Sequence, residues 1–173
     1  MANTNTYGIV DLPKINGADI VNFKYRAGAL ENGQLVKLAG LISGDNDLYS
    51  AVLAGDTSAQ VYMNASVELM YSASGDTGDF RLATSGTGRG IGFVVGNEFT
   101  VTVDVVTGTA IAVGYWVTQS SASSGYLECR DTYASAILYS FVAEIIEDTD
   151  IYEGNTAQDA IRCRVVRNQS IDD

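Results

Sequence analysis

Apolar and polar residues alternate with a period of two through much of the chain, and glycine-containing turns punctuate the alternation. Three segments share this layout: Glu31-Asn-Gly-Gln-Leu-Val-Lys-Leu38, Val95-Gly-Asn-Glu-Phe-Thr-Val-Thr-Val-Asp104 and Ala112-Val-Gly-Tyr-Trp-Val-Thr118. Phe99, Val101, Val103 and Val105 fall on one side of an extended chain, with Thr100, Thr102 and Asp104 on the other. Side chains of a strand point alternately to its two faces, so this pattern predicts half-buried strands. The fold class expected is mainly β: a compact β-barrel or sandwich with an extended N-terminal arm and at most one short helix.

Residues 1–25 are read as that arm, and residues 26–173 as one β-rich domain with an inserted or elaborated region at about 43–92. The arm is rich in Asn, Thr and Asp and holds the one proline, Pro13. It reads either as a frayed terminus or as a segment that orders on a neighbouring subunit, with Tyr7, Ile9, Val10 and Leu12 as anchors. Deleting residues 1–20 is expected to leave the melting temperature nearly unchanged and to weaken partner binding. Val36 and Leu38 share a face of the next strand; Val61, Met63 and Ala65 alternate in one later run, and Val67, Leu69 and Tyr71 in another. Polar turns at 43–47, 74–79 and 85–90 use Gly, Asn, Asp and Ser, which turn geometry favours. Two strands are expected within 92–118, joined through Val106-Thr-Gly-Thr109. A hairpin follows, with a small-residue loop at 120–125 and Tyr126-Leu-Glu-Cys-Arg130 returning. Residues 134–147 fit a helical stripe and a strand alike, β-branched content favouring the strand. Ile161, Cys163 and Val165 alternate with Arg162 and Arg164, so a last strand turns two arginines to water or a partner. Glu144, Glu147, Asp148, Asp150 and Glu153 form an acidic cluster, either a solvated loop or cross-strand partners of those arginines.

Composition narrows function further. A length of 173 residues suits one domain, and 46% apolar content suits a packed core. The net charge of −11 disfavours nucleic acid and anionic membrane as partners. The chain has no histidine, which removes the commonest metal ligand and every Ser-His or Cys-His nucleophile pair. No secretory leader and no apolar run of membrane-spanning length is visible. Cys129 and Cys163 lack metal-ligand spacing and read as small core residues, or less simply as a disulfide.

Candidate chemistry is sparse. Gly86-Thr-Gly-Arg-Gly-Ile-Gly92 lacks the Lys-Ser/Thr of a phosphate loop and the spacing of a dinucleotide fingerprint, so it reads as a flexible turn feeding a strand. Asp45 with Asp47, and Asp76 with Asp79, read as turn formers rather than calcium ligands. Trp116 reads as core filling, or with Tyr115 and Tyr126 as a sugar platform. The sequons at Asn64 and Asn168 carry weight only in a secreted protein. No catalytic residue, cofactor or metal ligand is assigned.

Certain phrases occur in a telling order: residues 27–38, Gly96-Asn-Glu-Phe-Thr-Val-Thr-Val103, residues 111–118 with Gly125-Tyr-Leu-Glu128, Phe141-Val-Ala-Glu-Ile-Ile-Glu147 and Ile161-Arg-Cys-Arg-Val165. In this order the chain resembles the capsid decoration (cement) proteins of tailed bacteriophages. The resemblance implies a non-enzymatic virion structural protein, made in the host cytoplasm. It implies binding to the major capsid protein on the capsid exterior, often as a homo-oligomer, with a trimer favoured. Contact residues expected on this reading are Tyr7, Ile9, Leu12, Arg162 and Arg164. The alternatives are another phage particle component, such as a tail-tube subunit or head fibre base, and a carbohydrate-binding or adhesin module.

Overall fold

A computed structural model describes residues 7–55, 59–66, 81–108, 110–122, 124–153 and 156–169. The protein is mainly β. Its strands are β1 (Val10–Lys14), β2 (Asp19–Tyr25), β3 (Leu30–Glu31), β4 (Leu35–Leu41), β5 (Leu48–Leu53), β6 (Tyr62–Asn64), β7 (Arg81–Leu82), β8 (Thr87–Gly92), β9 (Glu98–Thr102), β10 (Val106–Gly108), β11 (Trp116–Gln119), β12 (Leu127–Arg130), β13 (Phe141–Glu153) and β14 (Thr156–Asn168). One short helix, α1 (Tyr133–Ala136), joins them. A seven-stranded sheet runs in the order β1-β9-β14-β13-β11-β12-β10, and β2-β5-β4-β6-β8 close into a small barrel. The alternation read at Val61, Met63 and Ala65 falls on and around β6 of that barrel.

Period-two alternation accounts for how the two layers meet. Phe99, Val101, Val117, Cys129, Ile145, Ile161, Cys163 and Val165 on the sheet's inner face share a core with Leu35, Met63, Ile91 and Phe93. A second core fills the barrel with Phe23, Tyr25, Val36, Ala51 and Tyr62. Asn168 ties the layers together. Its side-chain amide donates to the Val61 and Phe93 carbonyls at 2.9 and 3.1 Å and accepts from the Val61 N–H at 3.1 Å. Asn64 is fully buried and accepts from the Ser66 hydroxyl at 2.6 Å. Both sequon asparagines thus serve the interior.

The glycine run is not a flexible turn but the barrel strand β8. A Cβ on Gly88 would lie 2.6 Å from Leu82, 2.8 Å from Phe23 and 2.9 Å from Ser66, and one on Gly92 would lie 2.7 Å from Tyr62. A five-stranded barrel has little interior, and these glycines give the room to its aromatic rings.

Residues 106–108 are likewise a strand, paired parallel to β12, rather than a loop. One 3-10 turn, Val103–Val105, breaks the alternation after β9 and drops Val105 into the core. Residues 134–147 divide between the two readings: α1 takes the start, and Phe141 opens β13. The extended N-terminal stretch lies on its own chain, with β1 as an edge strand on β9 and β2 inside the barrel sheet. The run at Val67, Leu69 and Tyr71, the turn at 74–79 and the pair Asp76 and Asp79 lie outside the described residues.

Candidate functional site on the outer face of the seven-stranded sheet

Residues that alternate with the core positions build a polar outer face. One cross-strand row reads Lys14, Glu98, Arg164, Glu144, Trp116 and Arg130 from β1 to β12. The adjacent row reads Asp11, Thr100, Arg162 and Glu147. Charges of opposite sign therefore face one another across neighbouring strands, the arrangement that stabilises sheets through side-chain pairs.

Glu98 is the hub. Its side chain is 9% exposed and accepts from Arg162 Nη2 at 2.7 Å and from Arg164 Nη2 and Nε at 3.3 Å, with Lys14 Nζ at 3.9 Å. Burial pushes its carboxyl pKa up, but the hydrogen bonds from Arg162 and Arg164 and the charges of Arg162 and Lys14 outweigh that and hold it below the ordinary value. Arg162 also reaches Glu147 at 3.6 Å. On the far side, Arg130 lies 3.0 Å from Glu128, donates to Thr118 Oγ1 at 3.2 Å and sits 4.3 Å above the Tyr139 ring.

The two arginines expected to share a face do so, and two of the five acids named for them stand opposite, Glu144 against Arg164 and Glu147 against Arg162, whereas Asp148, Asp150 and Glu153 pair with Ile161, Asp159 and Thr156. Glu98 escaped the sequence reading. The usable signal was two cations spaced by two on one strand, which call for a carboxylate between them on a neighbour. Tyr7 is half-buried, with Arg81 5.1 Å over its ring. Ile9 is buried, exchanges backbone and hydroxyl bonds with Thr102, and is spent on its own chain's core. Leu12 packs beside that core. The arginines, Ile9 and Leu12 thus belong to the β1-β9-β14 end of the sheet, and Tyr7 meets Arg81 of β7 instead.

Tyr115, Trp116 and Tyr126 do not form one platform. Tyr115 packs against the core, Tyr126 donates to Glu31 at 3.4 Å, and Trp116 is half-buried with its ring centroid 4.7 Å from that of Tyr133. Trp116 is therefore not core filling, because its strand position lies on the outer face. Asp45 and Asp47 are exposed turn residues, and no cluster of metal-ligating side chains occurs among the described residues. Cys129 and Cys163 are buried and not joined by a disulfide, and burial pushes the Cys163 pKa up.

At one end of this face lies an open cleft of about 500 Å³, lined by Asp11, Thr100, Glu147, Asp150, Tyr152 and Arg162 among others. It opens where β13 and β14 outrun their neighbours. β11 pairs β13 only over 142–144, and β9 pairs β14 only over 160–164. Beyond them the two strands pair with each other alone out to Glu153 and Thr156. None of residues 147–152 or 157–159 is buried.

Fold and site together define a mainly β protein with a charge-laddered sheet face and a projecting two-stranded ribbon. Comparisons with protein-family models, with curated proteins and with solved structures find no match to this chain.

Proposed function

We propose that this chain is a non-enzymatic virion structural protein that binds the outer surface of a capsid and braces the shell, acting in many copies. The observation that carries the reading is the long, charge-patterned outer face of the sheet, continued by a ribbon whose outer edges no strand pairs among the described residues. A surface of this kind suits attachment through distributed contacts, in which individually weak copies gain avidity. The order of the strand-and-turn phrases supports it from the sequence side. On this reading the partner is a major capsid protein, the assembly is a homo-oligomer, and the location is the virion exterior. Purified protein added to undecorated expanded heads should bind and raise their resistance to heat or chelator. Absence of binding at micromolar concentration overturns the proposal.

A second reading, a carbohydrate-binding module, is favoured by one observation. Tyr152 stands 72% exposed on the wall of a cleft that also offers carboxylates, hydroxyls and a guanidinium. Calorimetric titration against a glycan panel separates the readings: heat with a defined sugar supports a lectin, and a flat panel removes it.

A further inference from the structure

The geometry points to the ribbon of residues 147–159 as the docking element for a second copy of this chain, which enters with the solvent-facing outside of its barrel. The inference rests on the multi-copy reading above and names the surfaces involved.

The ribbon first requires a cover. A two-stranded hairpin alone is marginal in water, and its outer edges present unpaired backbone groups. The sheet's terminal edges are blunted, β1 by Pro13 and a register shift and β10 by its three-residue length. The ribbon has no proline, and among the described residues no strand pairs its outer edges. It carries Glu147, Asp148, Asp150 and Asp159, with exposed Tyr152 beside them.

The barrel supplies the complement. Asn22 and Lys24 of β2 alternate with the inward Phe23 and Tyr25, and Arg89 pairs with Asn22 across β8. Lys37 of β4 pairs with Val52 of β5, again opposite in phase to the inward Val36 and Leu38. Lys24, Lys37 and Arg89 therefore all point outward from the barrel, and Lys24 and Arg89 stand on the neighbouring strands β2 and β8. The four strands β2, β4, β5 and β8 contain one acid, Asp19, which accepts a hydrogen bond from Tyr62. In a chain of net charge −11, Lys24 and Arg89 on neighbouring strands, with no acid at the outward positions of β2 and β8, are a specific feature. Ile20 and Val52, 55% and 46% exposed, also point outward and offer apolar contact to Tyr152. Acidic ribbon against acidic ribbon would repel, so the contact is head-to-tail, and a head-to-tail contact closes into a ring when the rotation permits.

Charge reversal in the full chain tests this by mass in solution. At about 50 mM salt, where screening is weak, wild type should be oligomeric. Asp148→Lys with Asp150→Lys should be monomeric, as should Lys24→Glu with Arg89→Glu. An equimolar mixture of the two variants should re-associate, in alternation as an even-numbered ring or an open chain, because each reversed surface then meets its complement. A monomeric wild type, variants that associate like wild type, or a mixture that stays monomeric each overturns the proposal. Head binding by a protein monomeric throughout removes this inference and leaves the capsid reading standing. Reversals that behave as stated in a protein that ignores heads do the opposite.

Discussion

Glu98 Oε2 accepts a hydrogen bond from Arg162 Nη2 at 2.7 Å, diagonally across the β9-β14 pair, while Arg164 directly opposite approaches the other carboxylate oxygen at 3.3 Å. Two arginines two residues apart on one strand thus grip a single, nearly buried acid. Exposed pairs contribute only a few tenths of a kcal/mol, but an acid at 9% exposure with this many donors is worth more. Glu98→Gln should cost about 1–2 kcal/mol in chemical denaturation, a hydrogen-bonded charge being lost while its donors stay in place. The folded carboxyl pKa lies below the unfolded one. The stabilisation is therefore full above the unfolded value, about pH 4.3, and fades as pH falls through the folded value. Wild type and Glu98→Gln should converge in stability on the acid side; a gap that stays constant to low pH would refute the assignment.

Gly88 faces the barrel interior with Leu82, Phe23 and Ser66 all within 3.0 Å of where a Cβ would stand. Gly88→Ala should lower stability by about 1–3 kcal/mol through overpacking. Gly28→Ala is the control. Its Cβ would meet only Tyr25 at 3.7 Å, and it should change stability by less than about 0.5 kcal/mol. Equal effects at the two positions would argue that β8 does not need its glycines for space.

The same glycines show where the sequence was legible and where it was not. Alternation at Phe99, Val101, Ile161, Cys163 and Val165 marks strands and their inner face without any structure, because one face buried and one wet is a local pattern. Burial on both faces leaves no such pattern. In β9 Glu98, Thr100 and Thr102 are as buried as their neighbours, Glu98 standing between Lys14 and Arg164 and Thr100 between Asp11 and Arg162 of the flanking strands. Gly88, Gly90 and Gly92 look like turn residues until the barrel around them is known. The acid hub at Glu98 was hidden for a related reason: its partners stand 64 and 66 residues further along the chain, and only strand register joins them. The ribbon was hidden because it exists through the shortness of β9 and β11 relative to β13 and β14.

Ile9 decides how the N-terminal stretch is held. Its N–H donates to Thr102 Oγ1 at 3.0 Å and its carbonyl accepts from the Thr102 N–H at 3.1 Å, while Val10 and Asp11 continue the pairing with β9. Removing residues 1–14 should lower the melting temperature by several degrees, against the sequence expectation of no change, because it uncovers a core strand. Ile9→Ala alone should cost about 2 kcal/mol as a large-to-small core change. Unchanged thermal unfolding in both would restore the picture of a loosely attached arm.

Tyr62 packs in the barrel core and donates to Asp19 Oδ2 at 3.2 Å. Burial first, then the charge and hydrogen bond of Asp19, push its phenol up to about 12. In the unfolded chain the phenol titrates near pH 10, so the folded state holds the proton more tightly. The resulting stabilisation is fully present below about pH 10 and is lost as pH rises toward the folded value. Stability should therefore decline on the alkaline side above about pH 10, and Tyr62→Phe should flatten part of that decline. Asp19→Asn removes the charge but leaves the burial, so it should lower the Tyr62 pKa without returning it to the free value. Ultraviolet titration of the phenolates in the three proteins reads this directly. A Tyr62 that ionises with the exposed tyrosines in wild type would show that water reaches the barrel core beside Asp19 and that the barrel is not closed as described.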